Sequence, residues 1–157
     1  MGEDMKRALA VQTFNTLCTA IEKRNWKYDR DDEKMTVFFG VNGDDLPMRL
    51  ILRVDEERQV LQALSPLPFE MSESKRIEGA IAACAASYGL ADGYFEYDLS
   101  DGMIVYKLST SFRESILSES VMHYMMDCTT AIVDEYNDRF FALEKGFISL
   151  EDFIRKA

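Results

Sequence analysis

The sequence predicts an α+β fold: a helix, a three-stranded antiparallel meander, a second helix, a β-hairpin, a long helix and a short C-terminal helix. Three observations predict it. Between residues 35 and 64, three β-branched and aromatic runs are separated by clusters of turn residues. From Gly93 to Leu108 two further runs flank Leu99-Ser100-Asp101-Gly102, which is hairpin chemistry. From about Ser118 to Lys145 apolar residues recur every three or four positions, the period of one helix face.

The first helix is expected over residues 4–24, where Val11, Phe14, Leu17, Cys18 and Ile21 keep helical spacing and Lys23-Arg24 suit the C-terminal end of the dipole. Trp26 and Tyr28 lead into an acidic turn, Asp29 to Glu33. The meander comprises Met35–Val41, Pro47–Val54 and Gln59–Leu64, joined at Asn42–Asp45 and Asp55–Arg58. A four-residue loop after Val54 sets Leu52 opposite Leu61 and Leu50 opposite Ala63. Ser65-Pro66-Leu67-Pro68 then breaks the chain, and Ser72 is a suitable N-cap for the second helix.

That helix has an apolar stripe of Ile77, Ala80, Ile81, Cys84 and Tyr88 and ends at Gly89. Its many small residues, Gly79, Ala80, Ala82, Ala83, Ala85 and Ala86, permit close packing, either on the sheet or against a second helix. In the hairpin, Asp98 faces Met103, Tyr97 faces Ile104 and Phe95 faces Tyr106. With a side-chain period of two, Phe95, Tyr97, Ile104, Tyr106 and Leu108 then share the buried face. The long helix ends at Gly146, and a second stripe of Met122, Met126, Thr129 and Val133 makes its apolar face wide. Ser149-Leu150-Glu151-Asp152 reads as the capped start of a terminal helix carrying Phe153 and Ile154.

A chain of 157 residues, 47% of them apolar, suits a single domain over residues 1–157 with one core. The net charge of -10 makes nucleic acid and anionic membrane poor partners, because phosphate contacts need clustered Lys and Arg. Cys18, Cys84 and Cys128 are odd in number and widely spaced, which disfavours a disulfide framework or a zinc site; each is expected on the apolar side of its helix. The start, Met-Gly-Glu-Asp-Met-Lys-Arg, has no signal core, and no apolar run approaches a membrane span, so a cytoplasmic, reducing setting is expected.

No catalytic, metal or cofactor motif is present: no GxGxxG, no GxxxxGK and no GxSxG. His123 is the sole histidine, and Cys128, five residues on, falls on another helix face. Asp98 to Gly102 is superficially like a calcium loop, but its glycine comes one position early and its twelfth position is Ser109. The acidic clusters all fall at expected turns, where carboxylates are solvated.

These features exclude a recognisable enzyme and leave two classes. One is a non-enzymatic protein-binding module, with Trp26, Tyr94, Met122, Met125 and Met126 as its candidate interaction residues. The other is a small-ligand binder or enzyme with a pocket between sheet and helices, for which Tyr97, Tyr106, Tyr124 and His123 would supply the polar groups.

The element order resembles the fold of type III secretion chaperones, and the sequence is similar to the YbjN family of bacterial proteins. The residues that carry the resemblance are Trp26-Lys27-Tyr28-Asp29, Pro66 and Pro68, Lys75-Arg76-Ile77-Glu78, the hairpin Gly93 to Asp98 with Asp101-Gly102, and Leu117 to Val121 entering the long helix. Together they span roughly residues 10–146. The chain departs from the family pattern at Ala86-Ser87, where an asparagine is expected. The resemblance implies a chaperone-like or regulatory role with an unidentified protein partner, no established reaction and no catalytic residues. It also points to a homodimer. The small-residue second helix and the wide long helix agree with pairing, unless the three methionines fold inward around the hairpin aromatics.

Overall fold

Six strands form one antiparallel sheet in the order β1-β2-β3-β4-β6-β5. The computed structural model describes residues 2–156. In chain order the elements are α1 (Glu3–Lys23), β1 (Asp29–Asp31), β2 (Thr36–Asn42), β3 (Pro47–Asp55), β4 (Val60–Glu70), α2 (Arg76–Ser87), β5 (Tyr94–Tyr97), β6 (Met103–Ser111), α3 (Glu119–Lys145) and α4 (Leu150–Lys156). The hairpin register is the expected one, with Phe95 opposite Tyr106 and Tyr97 opposite Ile104. Its second strand, β6, pairs with β4 and so joins the hairpin to the meander.

The long helix forms between the expected signals. The Ser118 side chain accepts a hydrogen bond from the Val121 N–H at 3.2 Å, and Gly146 closes the helix at φ +76°. At α4, Ser149 and Asp152 cap each other reciprocally: the Asp152 N–H donates to Ser149 Oγ at 3.1 Å and the Ser149 N–H to Asp152 Oδ2 at 3.4 Å.

Four expectations are corrected. The acidic stretch after Tyr28 contains the short edge strand β1, because Asp31 accepts the Lys34 N–H at 3.0 Å and tightens a turn back into β2. The meander register is two residues further on: Leu52 faces Ala63 and Val54 faces Leu61. The loop spans residues 56–59, and Gln59 adopts φ +58° instead of opening the strand. A slip of two keeps every side chain on its expected face. The chain also does not break at Ser65. β4 continues to Glu70 along β6 after its pairing with β3 stops at Leu64, so Pro66 and Pro68 remove donors where only one neighbour needs the backbone.

The fourth correction concerns α2. Its expected stripe faces outward: Ile77 is 68% exposed, Ile81 43% and Tyr88 90%, and Cys84 is exposed too. Gly79, Ala82, Ala83 and Ala86 are the buried residues. The cause is a close approach to β5. Tyr97 Oη donates to the Arg76 carbonyl at 2.6 Å, and the Phe95 N–H donates to Ser87 Oγ at 2.8 Å, so the helix is tied to the strand at both ends. A Cβ at Gly79 would lie 2.7 Å from both Tyr97 Oη and Met71 Cγ. Only small residues fit beneath such a helix.

The helices cover one face of the sheet. Their buried residues and those of the strands form a single cluster, running from Leu17 and Ile21 of α1 through Leu50, Leu52 and Leu61 to Met122, Met125, Met126 and Phe140 of α3. α3 lies at its centre, touching β3, β4, β6 and all three other helices. That central position consumes the wide apolar face.

Candidate functional site

The polar side chains suited to a reaction or a ligand pocket are already engaged in structural hydrogen bonds; Tyr106 and Tyr124 meet at Asp92, while His123 and Tyr97 lie elsewhere. His123 Nε2 lies 2.9 Å from the Ala20 carbonyl. Tyr97 holds α2, as above. Tyr106 Oη donates to the Asp92 carbonyl at 2.6 Å, and Tyr124 Oη donates to the Asp92 carboxylate. Burial pushes the Tyr106 hydroxyl well above the usual tyrosine range and raises the neighbouring Cys128 thiol, whose sulfur is 3.8 Å away. A thiol raised in this way is a poor nucleophile. Among the described residues, no three His, Cys, Asp or Glu side chains gather as metal ligands, and no helix is long and apolar enough to cross a membrane.

The five interaction residues named from the sequence separate into three situations. Met122, Met125 and Met126 are at most 1% exposed, so they line the core and offer no surface. Met fills the irregular space between α3, α1 and the sheet, which is the inward alternative. Trp26 is half-buried, its ring 5.4 Å from that of Phe39 and covered by the Arg24 guanidinium at 5.0 Å. Tyr94 is 47% exposed and stands on the sheet face that no helix covers.

Two apolar surfaces escaped the sequence reading. The first is the outward side of α2. Ile81, Cys84, Ala85 and Tyr88 meet Ile154 of α4 around a shallow depression of about 460 Å³. The signal was present as two competing stripes on one helix, one large and one small. The second is the open sheet face. Phe38, Ile51 and Leu64 are half-buried and pair directly across β2, β3 and β4, and the row continues through Lys107 to Tyr94. Pro66 and Val105, also half-buried and paired with each other, extend it. The alternation of Arg49, Ile51 and Arg53 against buried neighbours was its signal.

No family model matches the chain. No curated protein matches its sequence. Solved structures do match in shape. A chain in the HopA1–SchA chaperone–effector complex is 17% identical, with 81% of this chain and 95% of that chain covered at a TM-score of 0.53. A chain in the ExsC–ExsE complex is 13% identical, with 83% and 94% covered at 0.59. YbjN from E. coli, described as a candidate transcription regulator, is 11% identical, with 80% and 92% covered at 0.57. At such identities the likeness is one of fold: this chain has the type III secretion chaperone-like α+β fold, shared with YbjN.

Proposed function

We propose that this chain is a non-enzymatic, chaperone-like or regulatory bacterial protein that works in the cytoplasm by binding another protein, and that it pairs with a second copy through the outward side of α2. One observation carries the reading. Large apolar residues stand exposed on a well-packed helix while the groups that could do chemistry are spent on structural hydrogen bonds. Two of the solved structures with this fold are complexes, one of them of a chaperone with its effector. A two-fold contact uses the same patch twice. A specific contact requires roughly 1,000 Å², and Ile77, Ile81 and Tyr88, with Ile154 at the margin, are the exposed large apolar side chains that this side of the molecule would contribute to it.

Capture from a bacterial lysate, with partners identified by mass spectrometry, tests the binding role. A specific protein recovered in stoichiometric amount is expected, and no specific partner under several conditions overturns it. Light scattering tests the pairing. The expected mass is twice 18.0 kDa at micromolar concentration, returning to one chain in Ile81→Asp. A single-chain mass for the wild type across the concentration range overturns the pairing and leaves the binding role standing.

A further inference from the structure

At about 100° per residue, Ile77, Ile81 and Tyr88 fall on one line along α2, within about 40° of each other. All three are exposed. Cys84 and Ala85 lie on either side of that line, so the row reads large, large, small, large. The missing bulk between Ile81 and Tyr88 is the shallow depression bordered by Ile154 of α4. Ile77 lies outside the depression and projects into water, 68% exposed. One helix thus carries an apolar knob and an apolar notch, about 11 Å apart along its axis. The face is also free of charge. No Asp, Glu, Lys or Arg occurs from Gly79 to Ala91. The charged side chains nearest to it are engaged within the chain: Lys75 with Glu78 at 3.3 Å, Arg155 with Glu151 at 3.0 Å, and Arg76 with the Met71, Ser100 and Asp101 carbonyls.

We propose that the notch at Cys84 and Ala85 is filled by Ile77 of a second copy, so that the two α2 helices cross antiparallel about a two-fold axis at Ile81. The proposal rests on the pairing through α2 and names its geometry and the residue that sets it. A two-fold contact makes every interaction twice, so Ile77 of each copy enters the notch of the other. The axis then passes midway between knob and notch, which is at Ile81. Parallel helices cannot do this. They set Ile77 against Ile77 and notch against notch, and both depressions lose their packing partner. An uncharged face meets its own copy without like-charge repulsion, and it gives a partner selected by charge nothing to pair with. A small ligand is the wrong occupant, because the lining side chains offer it only the Cys84 thiol and the Tyr88 hydroxyl as polar groups.

Moving the bulk from one side of the contact to the other tests this. Ile77→Ala removes the knob, and Ala85→Leu fills the notch. Each change alone is expected to weaken pairing about tenfold or more by sedimentation equilibrium. The double variant Ile77→Ala/Ala85→Leu should recover most of that loss, because the added bulk at position 85 of one copy occupies the space vacated at position 77 of the other. Circular dichroism of all three variants should match the wild type, since neither side chain belongs to the core. A double variant that pairs no better than the single ones overturns the proposal. So does a Cys84–Cys84 link between wild-type copies on oxidation with copper–phenanthroline. An axis at Ile81 holds these two residues about 10 Å apart along the helices, beyond the roughly 7 Å limit for a disulfide. Either result with a wild-type mass of twice 18.0 kDa rejects the crossing and leaves the pairing standing. A single-chain mass for the wild type removes the pairing, and the crossing with it.

Discussion

Helices α2 and α3 bury opposite kinds of residue. α3 turns its large side chains inward: Met122, Met125, Met126, Tyr136 and Phe140 are all buried. α2 turns Gly79, Ala82, Ala83 and Ala86 inward and leaves Ile77, Ile81 and Tyr88 in water. Both helices carry apolar residues at three- and four-residue spacing, so hydrophobicity alone does not decide which side faces the sheet. The space beneath the helix decides. α3 stands across the middle of the sheet, where long side chains fill the gap. α2 lies against the short edge strand β5, held by hydrogen bonds at Arg76 and Ser87, where only glycine and alanine fit. A buried stripe is thus the one whose volume matches the gap.

The comparison is broken most forcefully by emptying the large side. Phe140 is fully buried, with ring centroids 5.2 Å from Phe95 and 4.9 Å from Phe153. It therefore joins α3 to β5 and to α4 at once. Phe140→Ala should cost about 3–5 kcal/mol, from lost transfer energy and the cavity left behind. Urea unfolding followed by circular dichroism measures this. A loss below about 1 kcal/mol would mean that the aromatic cluster collapses around the void and that α3 does not depend on large side chains.

The reverse experiment overfills the small side. Gly79→Leu should cost roughly 1–3 kcal/mol, because the new side chain must displace Met71 or the Tyr97 hydroxyl that anchors Arg76. The better helix propensity of leucine, worth somewhat under 1 kcal/mol, offsets only part of it. Ordinary stability in Gly79→Leu, by the same measurement, would show that α2 can lift from β5 and that size does not fix its orientation.

Much of the fold was legible because its signals are local. The hairpin register follows from four turn residues, and the limits of α3 follow from Ser118 and Gly146. The open sheet face was half legible: Tyr94 is exposed there as expected, but Phe38, Ile51 and Leu64 become one band only once β2, β3 and β4 are set side by side. Orientation of α2 was illegible for a physical reason. Two stripes compete on it, and the winner depends on Tyr97 and Met71, which reach it from other elements. The same holds for the methionines. Their inward position depends on α1 and the sheet closing over α3, a fact no window of the sequence contains.

The smallest expected effect lies at the rim of α3, and it separates packing from charge. Arg24, at the end of α1, donates two hydrogen bonds to the Asp127 carboxylate, at 2.6 and 2.9 Å. These bonds hold the Asp127 carboxyl below the usual carboxylate range. A depressed folded-state pKa stabilises the fold when the group is ionised. The contribution is therefore complete above the unfolded value of about 3.9 and fades as the pH falls through the lower folded value. The Asp127 side chain is 59% exposed, so solvent and salt limit the gain to under about 1 kcal/mol. Asp127→Asn should be less stable than the wild type near neutral pH by that small amount. The gap should close at a pH well below 3.9 or in about 1 M salt, where screening acts within roughly 3 Å. A gap that persists unchanged in acid would assign Asp127 a packing role, and the charge of the Arg24–Asp127 pair would then add nothing to the joining of α1 and α3.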